Sequence, residues 1–327
     1  MELVYTNKNF IEKGFLKDFE LDVEVGKFGI STNDFELSFS SKNDFTEFTE
    51  GSLFFEENTE WGGMVDVINV DTLNERIVLK GKTFRGLLEK EYVQPPKDNA
   101  YLILNGEANE CLQTLIGNRF GDLYVVDNMG ISGINVNYQI RDLNLLEAIE
   151  KALGRANARL DIKYCDGKVH LCAEPVRDLS DVLQYDETYN VYMRVETAQK
   201  PYNHVLALGS GELTERLRVN LYMQNDGTWA EKETYTGLQR KTFKFEDTNA
   251  TDVADLTERA IEKVAESNGT EKLDVTIESD DVELFDVVGA KETITGISFK
   301  QPITQKILKC TSYGVESKSE FSYKVGE

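Results

Sequence analysis

Phe19-Glu20-Leu21-Asp22-Val23-Glu24-Val25 sets an apolar residue at every second position and an acid at each position between. Successive side chains of a β-strand point to opposite faces, so this run predicts a strand with Phe19, Leu21, Val23 and Val25 on a core and the three acids in solvent. Phe35-Glu36-Leu37-Ser38-Phe39 repeats the pattern. Met64–Val70 and Arg76–Leu79 add two more β-like runs, separated by the turn-forming Asp71-Thr72-Leu73-Asn74. Short strands at this spacing predict an antiparallel barrel or sandwich. Phe84–Tyr92 reads as helical, and Gln94-Pro95-Pro96-Lys97-Asp98-Asn99 reads as a boundary. The opening Met1-Glu2-Leu3-Val4-Tyr5-Thr6 is strand-like and has neither a basic region nor an apolar core, which predicts no secretory signal.

Beyond the boundary the rhythm changes. A helix is expected from about Gly106 to Ile116, stopped by Gly117-Asn118. A second follows Asn144, whose side chain can cap it, with Glu147 three residues on in the capping-box position. Its apolar stripe is Leu146, Ile149, Leu153 and Ala156. Asp166-Gly167 supplies a hairpin turn. From about residue 181 strands return at Val191–Val195, Val205–Leu208 and Val219–Gln224, with a turn at Asn225-Asp226-Gly227. One long helix, 252–267, is capped by Asp252 and closed by Asn268-Gly269. Alternation resumes at Leu273, Val275 and Ile277, and again at Phe321, Tyr323 and Val325. The expected fold is thus β-rich α+β: antiparallel β-barrel-like domains at 1–96 and 181–327, and a small α+β insert domain at 97–180.

Composition narrows the function. With 36 Lys+Arg against 58 Asp+Glu the net charge is −22, which disfavours a nucleic-acid backbone as a ligand. A wall that repels phosphate would still suit a passage through which DNA slides. No apolar run approaches the roughly 20 residues of a membrane span. The four cysteines, Cys111, Cys165, Cys172 and Cys310, form no CxxC pair and are expected as free thiols.

Candidate chemistry fails on spacing. Gly81-Lys82-Thr83 resembles the end of a phosphate-binding loop, but the glycine needed five positions before Gly81 is replaced by Arg76. Gly209-Ser210-Gly211 lacks the third glycine of a dinucleotide fingerprint and is expected as a turn after Leu208. His170, Cys165 and Cys172 invite a metal reading. Turning at Asp166-Gly167, however, pairs Cys165 with Lys168, His170 with Lys163 and Cys172 with Asp161, and leaves the two cysteines about 13 Å apart. Zinc ligands stand within about 2.3 Å of the ion, so a solvated hairpin face is the expectation. His204 has no recognisable Ser or Cys partner, and the abundant acids read as solvated strand faces. Nothing here asks for catalysis, a cofactor or a metal.

The order of segments resembles the baseplate-hub, or tail-hub, proteins of tailed bacteriophages and phage-tail-like particles, over nearly the whole chain. The blocks are Asp34-Phe35-Glu36-Leu37, Gly81-Lys82-Thr83-Phe84-Arg85-Gly86-Leu87-Leu88, and Asn203-His204-Val205-Leu206-Ala207-Leu208-Gly209-Ser210-Gly211-Glu212-Leu213 with Arg218-Val219-Asn220-Leu221-Tyr222. Further on stand Thr234-Tyr235-Thr236-Gly237-Leu238, Phe285–Ala290, Ile294-Thr295-Gly296-Ile297, Pro302–Ile307 and the ending Tyr323-Lys324-Val325-Gly326-Glu327. The resemblance implies a non-enzymatic virion structural protein of the tail tip, synthesised in the bacterial cytoplasm. It implies a homotrimer whose two barrel-like domains per chain form a pseudo-sixfold ring. The implied partners are the tail tube or distal tail ring protein, a spike or tail fibre, and the tape measure protein, with DNA in transit. Ending at Glu327, the chain is expected to leave lysis and piercing to other chains. No residue marks the trimer seam. Two alternatives stand beside this: a receptor- or carbohydrate-binding tail module, for which Trp61 and Trp229 near glycines are the hint, and a tail-associated cell-wall hydrolase.

Overall fold

A computed structural model of the chain describes residues 1–43, 47–181, 184–185, 193–197, 202–224, 227–248, 250, 252–268, 271–275, 282–291, 298–313 and 316–325. The expected strand residues Val191 and Ile277, the turn residues Asn225 and Asp226, and the helix stop Gly269 lie outside them. Two compact units result, one of Met1–Met193 with Asp274–Val325, the other of Arg194–Leu273.

In the first unit, seven strands precede the boundary: β1 Val4–Thr6, β2 Glu12–Phe15, β3 Phe19–Gly26, β4 Asp34–Ser40, β5 Leu53–Phe55, β6 Gly62–Asp71 and β7 Arg76–Thr83. They pair in the order β2-β1-β5-β6-β7-β4-β3. The alternation read in β3 is the one observed, with Phe19, Leu21, Val23 and Val25 buried. On the opposite face its acids meet cations of the same sheet, Glu20 with Arg76 of β7 two strands away at 2.9 Å and Asp22 with Lys309 of the adjacent strand at 3.2 Å. The path then continues from β3 into Ser298–Tyr313 and Glu316–Val325. Gln305–Ser312 runs antiparallel to Gly26–Phe19, so a strand from the last β region belongs to the sheet of the first. Local pattern cannot show such a pairing, because the partners are nearly 290 residues apart in sequence. The fold is β-rich, as expected. Among the described residues no sheet closes on itself into a barrel.

Gly81 explains why a phosphate-loop look-alike sits here. It opposes a bulge in β6, where Val65 pairs with Gly81 and Val67 with Lys80, leaving Asp66 as the extra residue. A Cβ on Gly81 would stand 1.9 Å from the Met64 carbonyl oxygen and 2.9 Å from the Asp66 amide. Gly81→Ala is therefore expected to cost about 2 kcal/mol through overpacking, read as a lowered urea midpoint. An unchanged midpoint would overturn the steric account.

Thr83 caps α1 (Phe84–Leu87), its Oγ1 accepting from the Gly86 amide at 3.1 Å. The rest of the expected Phe84–Tyr92 helix becomes a 3-10 turn at Leu88–Lys90, and Tyr92 starts a short strand. α2 (Ala108–Ile116) is capped by Glu107 and ends at Gly117. α3 (Leu145–Arg155) is capped by Asn144, which accepts from the Leu146 amide at 3.0 Å. Glu147 does not close a capping box; it pairs with Lys151 at 3.0 Å, one turn along. Leu145, Leu146, Ala148, Ile149, Ala152 and Leu153 face inward. They join a core that runs from Leu53, Phe55 and Phe84 to Leu171 and Ala173, shared by the first β region and the insert.

The second unit holds a four-stranded sheet in the order Trp229–Ala230, Arg218–Met223, His204–Leu208, Thr242–Glu246. Against it packs α4 (Val253–Asn268), burying Leu256, Ala260 and Val264 on Val205, Ala207, Val219 and Leu221. The Asp252 carboxylate meets the Ala254 amide at 3.4 Å, in the expected N-terminal position.

Candidate functional site

The 158–165 and 168–175 strands pair in the expected register, Cys165 with Lys168, His170 with Lys163 and Cys172 with Asp161. Their outer face is not solvated as expected, but half-buried. Tyr124–Val126 pairs in parallel with Val169–Leu171, which brings Asp127 within 2.9 Å of His170 Nδ1. Asn109 and Asn128 reach the Cys172 sulfur. Among the described residues no three His, Cys, Asp or Glu side chains are grouped to hold one metal ion. His204 is buried between Thr242 Oγ1 at 2.8 Å and Asn220 Oδ1 at 3.1 Å, stacked on Tyr222. The two tryptophans are no exposed platform for sugar. Trp61 is buried beneath the Lys306 ammonium, 5.2 Å from its ring, and Trp229 packs on the core of the second unit.

Three acids depart from the solvated faces expected of them. Glu60 precedes β6, Glu150 lies in α3, and Asp286 stands in the loop before Val287–Lys291. All three are buried or nearly so. Glu60 joins two cations: Oε1 is 3.3 Å from Lys306 Nζ, and Oε2 accepts from Arg85 Nη2 at 3.2 Å. Lys306 also donates to Glu283 at 2.7 Å, and Arg85 to the Leu160 carbonyl at 3.2 Å. At the far end Arg85 Nη1 stands 3.9 Å from Glu150 Oε1, inside ion-pair range but outside a hydrogen bond, and both atoms are buried with no hydrogen-bond partner. The result is a chain of alternating acids and bases, Glu283–Lys306–Glu60–Arg85–Glu150. It ties the first β region, α1, α3 and the C-terminal strands together.

Beside this chain Asp286 receives Arg177 through both carboxylate oxygens, and Arg159 reaches Asp161 at 3.2 Å. A cleft of about 460 Å³ opens over Glu60, Arg85, Arg159, Asp161 and Lys306. Burial raises the Glu150 carboxyl to about 7, because Arg85 and the Phe28 amide offset the lost hydration only in part. Burial pulls the Lys306 ammonium down, but Glu60 and Glu283 outweigh it and leave it raised. The arrangement offers no nucleophile paired with a base. Its use is to fix tertiary geometry, since buried charges are satisfied only when every partner is in place.

The outer surface carries the assembly candidates. β5 pairs with β6 only over Gly62–Met64, and the segment before β5 adds bonds at Val65. Beyond that, among the described residues, no strand pairs with the outward edge of β6. Among its exposed side chains there are Val67, Ile68 and Val70, with Asn69 between them, then Leu73 in the turn at 90% exposure. The turn is built by Asp71, whose Oδ1 accepts from the Leu73 and Asn74 amides. Phe10, Ile11 and Phe15 around β2 are exposed as well. An unpaired apolar edge is a pairing hazard unless it has a partner. The β-like run Met64–Val70 signalled a strand but could not tell that its outer half is uncovered.

No family model matches the chain, and no curated protein matches its sequence. Among the solved structures that share its fold over its full length are three tail proteins. A prophage tail protein, gp18 from Listeria monocytogenes EGD-e, is 12% identical with a TM-score of 0.59, and 94% of that chain is covered. A tail protein from Neisseria meningitidis MC58 is 11% identical with a TM-score of 0.56 and 96% of that chain covered. The 43 kDa tail protein of prophage MuSo2 from Shewanella oneidensis is 10% identical with a TM-score of 0.62 and 98% of that chain covered. At such identities the likeness is one of fold, shared with these three tail proteins.

Proposed function

We propose that this chain is a non-catalytic structural subunit of a phage or phage-like tail, acting as a hub at the tail tip. The observation that carries the reading is the full-length fold likeness to three tail proteins, two of them from prophages. In the proposed assembly three chains form a ring, each contributing two barrel-like β domains, so that six similar β surfaces meet a sixfold tail tube or distal tail ring. A spike or fibre is held on the other side, and the tape measure protein and DNA pass through. A trimer carries three times −22, about −66, and we place part of that charge on the channel wall, where it repels phosphate. No helix among the described residues is long and apolar enough to cross a membrane.

The seam is assigned to the unpaired edge of β6 and its turn. The test is the solution mass by light scattering, with negative-stain images. A species near three times 37.1 kDa, seen as a ring with a hole, is the expected result. Val70→Lys with Leu73→Glu changes exposed side chains only. It is expected to leave the monomer folded and to weaken assembly at least about tenfold. A wild-type monomer at high concentration would turn the reading toward a receptor-binding module.

A further inference from the structure

Glu150 sits at the border of a second cleft. This one measures about 390 Å³ and is mostly apolar, with Phe28, Leu160, Val176, Phe285, Val287 and Pro302 in its lining. A short turn, residues 27–31, forms one wall. The turn is held by Ile30 and Ser31 amides donating to the Lys27 carbonyl, by Lys27 N–H donating to Thr304 O at 2.9 Å, and by Phe28 N–H donating to Glu150 Oε2 at 2.9 Å. An ionised carboxylate has about four acceptor positions. Here a single amide is bonded to one oxygen, and the other oxygen is sealed from solvent and unbonded. Arg85 does not close the gap, because Glu60 and the Leu160 carbonyl hold its other nitrogen.

We propose that Glu150 is a proton-operated latch on this cleft: protonated, it lies shut beneath the 27–31 turn, and on ionisation it releases the turn so that water enters and hydrates it. The direction follows from linkage. Burial outweighs Arg85, the Phe28 amide and Lys27, each of which favours the ionised carboxyl, and the closed form holds it at about 7. The open form hydrates it and titrates it near its ordinary 4.5, so the closed form binds the proton more tightly and rising pH favours opening. The charged groups around Glu150 are Arg85 on α1, Glu89 just after it, Lys27 on the turn and Arg159 on the neighbouring strand, with Glu147 and Lys151 on α3. Glu147 and Lys151 pair with each other. The turn is the part of this shell that can move. Arg85 belongs to the ion chain, while residues 28–30 are half-buried or exposed.

The test is amide hydrogen exchange of residues 27–31 in the full chain from pH 5.5 to 8.5, corrected for intrinsic exchange. Protection of the Phe28–Ser31 amides is expected to fall at least about tenfold across that range in the wild type. Glu150→Gln, which cannot ionise, is expected to keep its protection at every pH. α3 amides, which report wider unfolding, should not follow the turn. Constant wild-type protection overturns the proposal, as does a parallel loss in Glu150→Gln or in α3.

Discussion

Glu60→Ala is expected to destabilise the first unit by at least about 3 kcal/mol, the usual cost of leaving buried charges without their partner. Glu60 is the middle link of the five-residue chain and the shared counter-ion of Lys306 and Arg85, both almost fully buried. Its removal leaves Lys306 with Glu283 alone and Arg85 with the Leu160 carbonyl alone, because Glu150, 3.9 Å away, holds its proton at pH 6. Urea unfolding at pH 6 is the measurement. Adding Lys306→Met to Glu60→Ala should recover part of the loss, because an apolar side chain on the Trp61 ring needs no counter-ion. Additive losses in the double variant would show that the two residues do not act as a pair.

The second large effect has the opposite sign. Glu150→Gln is expected to stabilise the chain at pH 8, by up to about 3 kcal/mol, and to change little at pH 4, since each pH unit of displacement is worth about 1.36 kcal/mol. The folded carboxyl titrates near 7 and the unfolded one near 4.5. Between those values the folded state holds more protons than the unfolded state, so wild-type stability falls as pH rises through that window and then levels off. Below 4.5 both states are protonated, and the difference vanishes. Denaturant midpoints at pH 4, 6 and 8 check this. The same fall with pH in Glu150→Gln would place its origin in another group. Opening of the 27–31 turn would limit the size of the fall without reversing it.

Why one glutamate ties the fold together while another burdens it is a matter of surroundings. Glu60 has a hydrogen-bonded cation on each side. Glu150 has one amide and a guanidinium at 3.9 Å. The chain comprises three acids and two bases, so one acid is under-compensated, and it is Glu150, the end with no hydrogen-bonded cation.

Much of the local architecture was decided by the sequence itself. Period-two alternation determined β3 and β4, since a strand with one face on a core must alternate, and the β-like run Met64–Val70 marked β6. Asn144 and Asp252 marked the starts of α3 and α4, and Asp166-Gly167 set the register of the hairpin that keeps Cys165 and Cys172 apart. These signals act within about ten residues, where chain geometry leaves few choices. Tertiary structure alone decided the rest. It set the pairing of Gln305–Ser312 with β3, the covering of the His170 face by Asp127, Asn109 and Asn128, and the fate of each charged residue. Glu36 and Glu60 look alike in sequence, yet one lies on an open face beside Lys80 and the other inside the ion chain. Burial of a charge depends on which distant segments supply its partners, and no periodicity within a strand or helix carries that information.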